Sequence, residues 1–415
     1  MGTVWGSPDN RAEVIALIIR PVDEVRGELD APPSKSYTHR AYFLALLAEG
    51  RSTIENPLVC DDTLATLNAL RAFGADVDGK TVVPPEEPSP GFVYARESGT
   101  TARFSIALAG SIEGKTLIDG ARRLRERPME GLVKALKDLG AEVDGFSLPL
   151  TVKGPVKPGR VSVDASKSSQ FVSGLLLLGA KVGLKVEARN PVSKPYIEMT
   201  LRTMEAFGVE FERDGFYFEV YPGVKGTRYK VPGDYSTASF FLAAGALYGK
   251  VRVNNLLRED VQADMAFLDA LEEFGARVKR GRDYVEVDGG ELKAVALDCS
   301  DFPDSFPILA VVAAYAKGRS VIRARQLRFK ESDRVRAMAV NLSRMGVKVR
   351  ELEDGLEIEG GRPRGAKVET FNDHRIAMAM SIAALGAEGP SVIEDTESVS
   401  KSHPGFFDDL RRLLG

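Results

Sequence analysis

Cations beside hydroxyls recur along this chain, and these are the side chains that hold phosphates and carboxylates. The run PSKSYTHR carries Lys35 and Ser36, with Arg40 one turn further on a similar helical face. ESGTTAR places Gly99 and Thr100 ahead of Arg103, and a glycine there lets a ligand approach the backbone. Ser168, Ser169 and Gln170 offer two hydroxyls and an amide before an entirely apolar run, where ordinary capping needs one. Arg122, Arg123, Arg125 and Arg127 form the densest basic stretch. The second half adds acids: Asp234 in GDYSTAS, Asp304 in FPDSFP, and Glu331 and Asp333 interleaved with Lys330 and Arg334 in KESDR. Asn372, Asp373, His374 and Arg375 follow, then Lys401 in SKSHPG. Arginine grips carboxylate or phosphate bidentately, lysine acts as a point charge, and nearby acids can transfer protons. The set suits chemistry on a pair of small substrates bearing several phosphates or carboxylates.

Each group alone has a plainer explanation. Lys35 and Arg40 fit a capped helix with solvated cations, Gly99 a turn, the arginine stretch a solvated loop, and KESDR surface ion pairing. For Asp234 simple capping is the preferred reading, and His374 alone fits a structural histidine. What the plain readings leave unexplained is their common location. Apolar helical runs begin near Ser36, Thr100, Ser169, Ser236, Ser305 and Asp373, so the candidate residues sit at helix starts. Those are the ends with unpaired N–H groups and the positive pole of the dipole.

The helices recur because the chain repeats. Gly74, Gly140, Gly208, Gly275, Gly346 and Gly415 each close a second, amphipathic helical run, at separations of 66, 68, 67, 71 and 69 residues. Glycine ends a helix in the left-handed conformation without a Cβ penalty. The spacing therefore predicts one unit of helix, strand, helix, strand, strand written six times. The first helix of each unit is apolar nearly all round and so buried. The sixth unit stops after its second helix. Two strand-like pieces, 14–20 and 25–31, precede the first unit and are expected to supply what the last one lacks. Three units together bury faces that one cannot. Two domains are thus expected, residues 34–232 and residues 1–33 plus 233–415, with the chain crossing near Pro33 and Pro232. Helix starts from both are expected to face one cleft.

Composition removes several classes. A formal charge of −3 from 56 basic and 59 acidic residues gives no global field for nucleic acid or membrane. Cys60 and Cys299 are the only two cysteines, too few for a disulfide framework and suited to a reducing cytoplasm. No metal or cofactor is expected: there is no His/Cys/carboxylate cluster at ligand spacing, no GxxxxGK[ST] and no GxGxxG. The longest apolar run, Ile308–Ala316, is far short of the ~20 residues of a membrane span. Residues 1–10 have no signal or transit character and read as a disordered lead-in.

Ten motifs in order (PSKSYTHR, SGTTAR, RERP, SKSSQF, SKPYIEMT, GDYSTAS, FPDS, KESDR, NDHR and SKSHPGF) make the chain, from about Arg20 onward, resemble the 5-enolpyruvylshikimate-3-phosphate synthases. These are the 3-phosphoshikimate 1-carboxyvinyltransferases of chorismate and aromatic amino acid biosynthesis. The resemblance implies an α/β fold of two domains, each of three βαβαββ repeats, the inside-out α/β barrel of the enolpyruvyl transferases. It implies transfer of the carboxyvinyl group of phosphoenolpyruvate to the 5-hydroxyl of shikimate 3-phosphate through a tetrahedral intermediate, with release of phosphate. It places phosphoenolpyruvate at Lys35, Gly99, Arg127, Gln170, Arg334, Arg375 and Lys401. Shikimate 3-phosphate falls to Lys35, Ser36, Arg40, Ser168, Ser169, Gln170, Ser193, Tyr196, Asp304 and Lys330, with Thr100 and Arg103 in support. Asp304, Glu331 and Lys35 are the expected proton-transfer groups, their division of labour open. A cytoplasmic monomer without nucleic-acid or membrane partners is expected.

Four positions depart from the pattern common in bacterial members: Pro33 stands for Gly, Glu97 for Asn, Phe104 for Pro and Gln326 for Asn. Glu97 and Phe104 flank the Gly99 turn and bear on phosphoenolpyruvate binding and on sensitivity to the inhibitor glyphosate. Two other families fit the sequence less well. The UDP-N-acetylglucosamine enolpyruvyl transferases share the fold but carry Lys-Asn where this chain has Lys35-Ser36, and a loop cysteine near Arg127. A six-repeat DNA sliding clamp would need basic helices along a pore, whereas the first helices here are apolar beyond their starts.

Overall fold

Five of the spaced glycines lie at positive φ: Gly74 at 96°, Gly140 at 97°, Gly208 at 69°, Gly275 at 108° and Gly346 at 78°. Each ends a helix where any other residue would carry a Cβ penalty. The computed structural model describes residues 5–6 and 16–414, so Gly415 lies outside the described residues.

The six first helices are Lys35–Leu47, Gly99–Ala109, Gln170–Val182, Tyr235–Tyr248, Phe306–Tyr315 and His374–Leu385. All are buried nearly all round. Side-chain caps hold three of the starts. Ser98 accepts from Thr101 N, Asp234 from Ser236 N and Thr237 N, and Asp373 from Arg375 N. Capping thus accounts for Asp234. The second helices show one buried face each. In Glu130–Asp138 the residues Leu132, Val133, Ala135 and Leu136 are buried, while Glu130 and Lys134 pair outside.

Each helix pair is wrapped by a four-stranded sheet of one topology, repeated six times. Phe92–Tyr94 runs parallel to Gly114–Asp119. That strand pairs antiparallel with Leu150–Gly154, which takes Glu142–Asp144 on its other edge. The sheets headed by Gly159–Asp164, Arg228–Lys230, Val25–Asp30, Ala296–Asp298 and Lys367–Val368 also open on a parallel pair. In the sheets headed by Phe92–Tyr94, Gly159–Asp164, Ala296–Asp298 and Lys367–Val368 the first helix is the crossover that a parallel pair requires.

The N-terminal strands differ from expectation in one respect. Leu17–Ile19 does complete the sixth sheet, pairing with Ser391–Ile393. Val25–Asp30 instead heads the fourth sheet, parallel to Gly249–Asn254. The repeat begins with a strand, so each unit needs one ahead of its first helix, and Val25–Asp30 is the fourth unit's. By the same logic Arg228–Lys230, from after the third unit, heads the first. Within residues 1–10, Trp5–Gly6 forms a strand against Ile18–Ile19 rather than a structureless lead-in; residues 1–4 and 7–15 lie outside the described residues.

The chain divides into two compact units, Pro33–Pro232 and the residues up to Pro32 with those from Gly233 onward. Within each, the three first helices touch one another at the centre. In the unit from Gly233, Tyr248 Oη donates to Ile382 O at 3.0 Å and Tyr315 Oη to Ala383 O at 2.5 Å.

Candidate active site

In the unit Pro33–Pro232 the three helix starts come together. Lys35, on the first turn of its helix, meets Asp62 at 2.8 Å. One turn on, Arg40 is 2% exposed because its helix is apolar beyond the start. Its guanidinium donates to Thr200 Oγ1, Ser36 O and Tyr196 O at 2.8, 2.9 and 2.8 Å. Its carbon lies 5.7 Å from the Phe104 ring centre. All these partners are neutral. Burial pulls the group down to about 10, so near neutral pH it remains a cation. A buried cation without a carboxylate is costly unless an anion binds there. Ser193, buried at φ 51°, and Tyr196 belong to the same corner, since Tyr196 N bonds Ser193 O.

Gln170 links the other two starts. Its Oε1 accepts from Arg103 Nη1 at 2.7 Å, its Nε2 donates to Thr100 Oγ1 at 2.9 Å, and its N–H bonds Ser168 Oγ. Ser169, the next residue back, is buried. Arg127 covers Gly99: a Cβ built on the glycine would meet Nη1 at 2.8 Å and Cζ at 2.9 Å. The rest of the arginine stretch is solvated, but on the short helix Arg122–Arg125 rather than a loop. Arg123 pairs Glu126 at 3.0 Å and Arg125 pairs Asp119 at 2.6 Å, while Arg122 is almost fully exposed. Only Arg127 joins the site.

His39 lies beneath these groups, its Nδ1 2.7 Å from Thr66 Oγ1. Thr66 Oγ1 is 2.7 Å from Thr101 Oγ1, which donates to Ser98 Oγ. Burial, then Lys35 and Arg40, push the imidazole well below its usual range. It is a neutral brace between helices.

The unit from Gly233 gathers acids around one guanidinium. Arg334 is 1% exposed. Its Nε meets Asp373 Oδ2 at 2.9 Å, Nη1 meets Asp304 Oδ1 at 2.8 Å, and Nη2 meets Glu331 Oε2 at 2.8 Å and Asp373 Oδ1 at 3.3 Å. Asp304 also receives Lys330 at 3.2 Å and Arg375 at 3.2 Å. Burial opposes its ionisation, but Arg375, Lys330 and Arg334 outweigh that and hold the carboxyl well below the usual range. Asp373 behaves alike, its burial overcome chiefly by Arg334. Lys401 Nζ donates to Asn372 O, which ties the SKSHPG turn to the start of the His374 helix. KESDR is therefore a buried charge cluster rather than surface pairing, except that Asp333 pairs with Arg328 and caps Arg336 N.

Two departures find a setting. The Phe104 ring is fully buried against Phe43, at 5.5 Å between ring centres, and under Arg40. Gln326 is buried, its Nε2 donating to Ser300 O at 2.7 Å. Both cysteines are buried, and burial pushes Cys60 up to about 11 and Cys299 higher still, which favours the thiol form.

Asp62, Thr200 and Asp264 belong to these clusters and were not singled out in the sequence. Asp62 looks like an ordinary first-turn acid after Cys60, and Thr200 like one hydroxyl on an amphipathic helix. Asp264 is 2% exposed and accepts from Ser305 Oγ at 2.6 Å and from Ser236 Oγ. Nothing in QADM marks it out.

Residues 19–410 match the family described as EPSP synthase (3-phosphoshikimate 1-carboxyvinyltransferase). A protein of that name from Thermococcus kodakarensis is 94% identical over 398 residues, covering 96% of this chain and all of the relative. One from Pyrococcus abyssi is 59% identical, covering 96% and 98%. Among solved structures, EPSP synthase from Acinetobacter baumannii superposes with a TM-score of 0.79 at 28% identity, covering 96% and 98%. The enolpyruvyl transferase NikO from Streptomyces tendae also reaches 0.79, at 19% identity with 96% and 97% covered, a likeness of fold alone. None of these carries the name of a UDP-N-acetylglucosamine enolpyruvyl transferase or a sliding clamp.

Proposed function

The chain belongs to the EPSP synthase (3-phosphoshikimate 1-carboxyvinyltransferase) family and is a transferase of the shikimate pathway, and on that premise we propose how its two clusters divide the work. The observation that carries the reading is Asp304 held ionised by three cations beside Glu331.

The reaction joins the 5-hydroxyl oxygen of shikimate 3-phosphate to C2 of phosphoenolpyruvate while C3 gains a proton. Phosphate then leaves C2, and C3 gives its proton back. Asp304, kept ionised by its three cations, takes the hydroxyl proton as the oxygen bonds C2 and gives it up to the departing phosphate. Glu331, held on the same Arg334, serves C3, as donor in addition and acceptor in elimination. Lys35 and Arg127 neutralise phosphoenolpyruvate and the departing phosphate, with Arg375 and Lys401 in the same office. Gly99, with no Cβ, leaves room for the Arg127 guanidinium to lie over it and reach the ligand, and Gln170 serves both substrates. Shikimate 3-phosphate is held by Ser36, Arg40, Ser168, Ser169, Ser193, Tyr196 and Lys330. Arg40, buried among neutral acceptors, supplies charge for the ester phosphate.

The protein works as a monomer in the cytoplasm in this reading. Two buried thiols suit a reducing compartment, and one chain provides every group named; light scattering during gel filtration checks the monomer. The experiment that tests the function is phosphate release from phosphoenolpyruvate with and without shikimate 3-phosphate, in wild type and Lys35→Met. Release that needs no shikimate ester, or that survives the substitution undiminished, ends the assignment.

A further inference from the structure

Asp304 sits on a short turn, Pro303–Ser305, ahead of the helix Phe306–Tyr315, so something must fix that turn for its carboxylate to be aimed. The neighbouring turn Ala263–Met265 does so through two side chains. Gln262 Oε1 accepts from Tyr235 N at 3.1 Å and its Nε2 donates to Gly233 O at 2.7 Å, which anchors the turn to the start of the Tyr235 helix. Asp264 then takes Ser236 Oγ from that helix with one oxygen and Ser305 Oγ with the other. Ser305 is the residue next to Asp304.

We propose that Asp264 is a positioning residue for the transfer reaction: its carboxyl lashes Ser305 to Ser236 and so sets where the adjacent Asp304 carboxylate points. Nothing in the reaction requires Asp264 to touch substrate. A carboxyl this deeply buried is costly to keep, and two serines alone would not need it for packing. Burial and the nearby Asp304 both oppose its ionisation, with Arg375 in partial compensation. A protonated or ionised Asp264 can satisfy both hydroxyls, since each serine donates or accepts. The inference rests on Asp304 being the base for the 5-hydroxyl proton.

The test is steady-state kinetics of Asp264→Asn, Ser305→Ala and the double variant, with Asp304→Asn alongside and folding followed by circular dichroism. Misplacing a base costs turnover rather than binding. We expect kcat to fall ~10- to 100-fold in each single variant, with KM for both substrates within ~3-fold, and the double variant to be no worse than the poorer single one. Unchanged kcat in a folded Asp264→Asn protein, raised KM at constant kcat, or additive losses overturn the inference. If Asp264→Asn does not fold, Ser305→Ala alone decides by the same split. Full kcat in Asp304→Asn would instead overturn the assignment of the base, whatever the Asp264 variant does.

Discussion

Arg127 lies across Gly99 so closely that a β-carbon on the glycine would come within 2.8 Å of its Nη1. The atom in the way is the far end of a side chain rather than backbone, so the fold can absorb a methyl group but the guanidinium cannot stay where it is. Gly99→Ala is expected to raise KM for phosphoenolpyruvate by ~10- to 100-fold, about 1.4–2.8 kcal/mol. The change in kcat should stay within ~3-fold, and denaturant midpoints should hardly move. Initial-rate kinetics in each substrate separately check this; a KM effect on shikimate 3-phosphate alone would contradict it.

Arg40 rests on three neutral acceptors and one ring. Arg40→Lys keeps the charge and loses the planar fork. We expect kcat/KM for shikimate 3-phosphate to drop ~100-fold, in line with losing charge-assisted bonds. Phe104→Leu keeps an apolar core but removes the ring face, worth about 0.5–2 kcal/mol. A smaller loss in the same direction should result, with KM for phosphoenolpyruvate unmoved. Initial-rate kinetics with each substrate varied in turn measure both variants.

The acid limb of stability follows from the carboxyls around Arg334. Asp304 and Asp373 ionise in the fold below their ordinary value of 3.8. Their stabilisation is therefore complete above that value and drains away as pH falls through the folded values. Asp264 runs the other way: its raised value favours the protonated fold, so its share is present below 3.8 and is lost as pH rises through its folded value. Urea titrations at a series of pH values should show Asp373→Asn with a flatter acid limb than wild type. An unchanged limb would mean the Arg334 cluster does not govern acid unfolding.

The repeat and most of its architecture were legible because they are local. Gly74, Gly140, Gly208, Gly275 and Gly346 announce helix ends by residue type alone, and apolar runs announce burial. The site was legible where a residue looked out of place in its run, as Arg40 before AYFLALLA or Gly99 before a helix. What stayed hidden was partnership across distance. Val25–Asp30 looks the same whether it closes the sixth sheet or heads the fourth, since register is set by a partner more than 200 residues away. Asp264 and Asp62 are ordinary acids until Ser305 and Lys35 fold onto them. KESDR has the composition of a solvated surface, and only burial of Arg334 to 1% turns it into a charge cluster.

Arg334 and Arg375 both lie in this cluster, yet their bonding sets them apart. Arg334 has five N–H donors, and four are given to Asp373, Asp304 and Glu331. One Nη1 hydrogen is left for a ligand. Its main effect must therefore pass through the carboxylates it aligns. Arg375 meets Asp304 Oδ2 at 3.2 Å, and its Nη1 contact to Asp304 O is stretched to 3.5 Å. Its proposed role is to neutralise phosphoenolpyruvate rather than to align the carboxylates. Arg334→Lys should accordingly lower kcat ~100-fold or more, as two proton-transfer carboxylates lose their common anchor. It should also cost stability, though less than the about 3–5 kcal/mol of removing the charge outright, since lysine keeps it and loses only the fork. Arg375→Lys should act mainly on KM for phosphoenolpyruvate, with a stability change below that of Arg334→Lys. Kinetics and urea unfolding of both variants side by side give the comparison. If Arg334→Lys raised KM at unchanged kcat while Arg375→Lys lost turnover, the roles would be reversed and the carboxylates would not depend on Arg334 for their alignment.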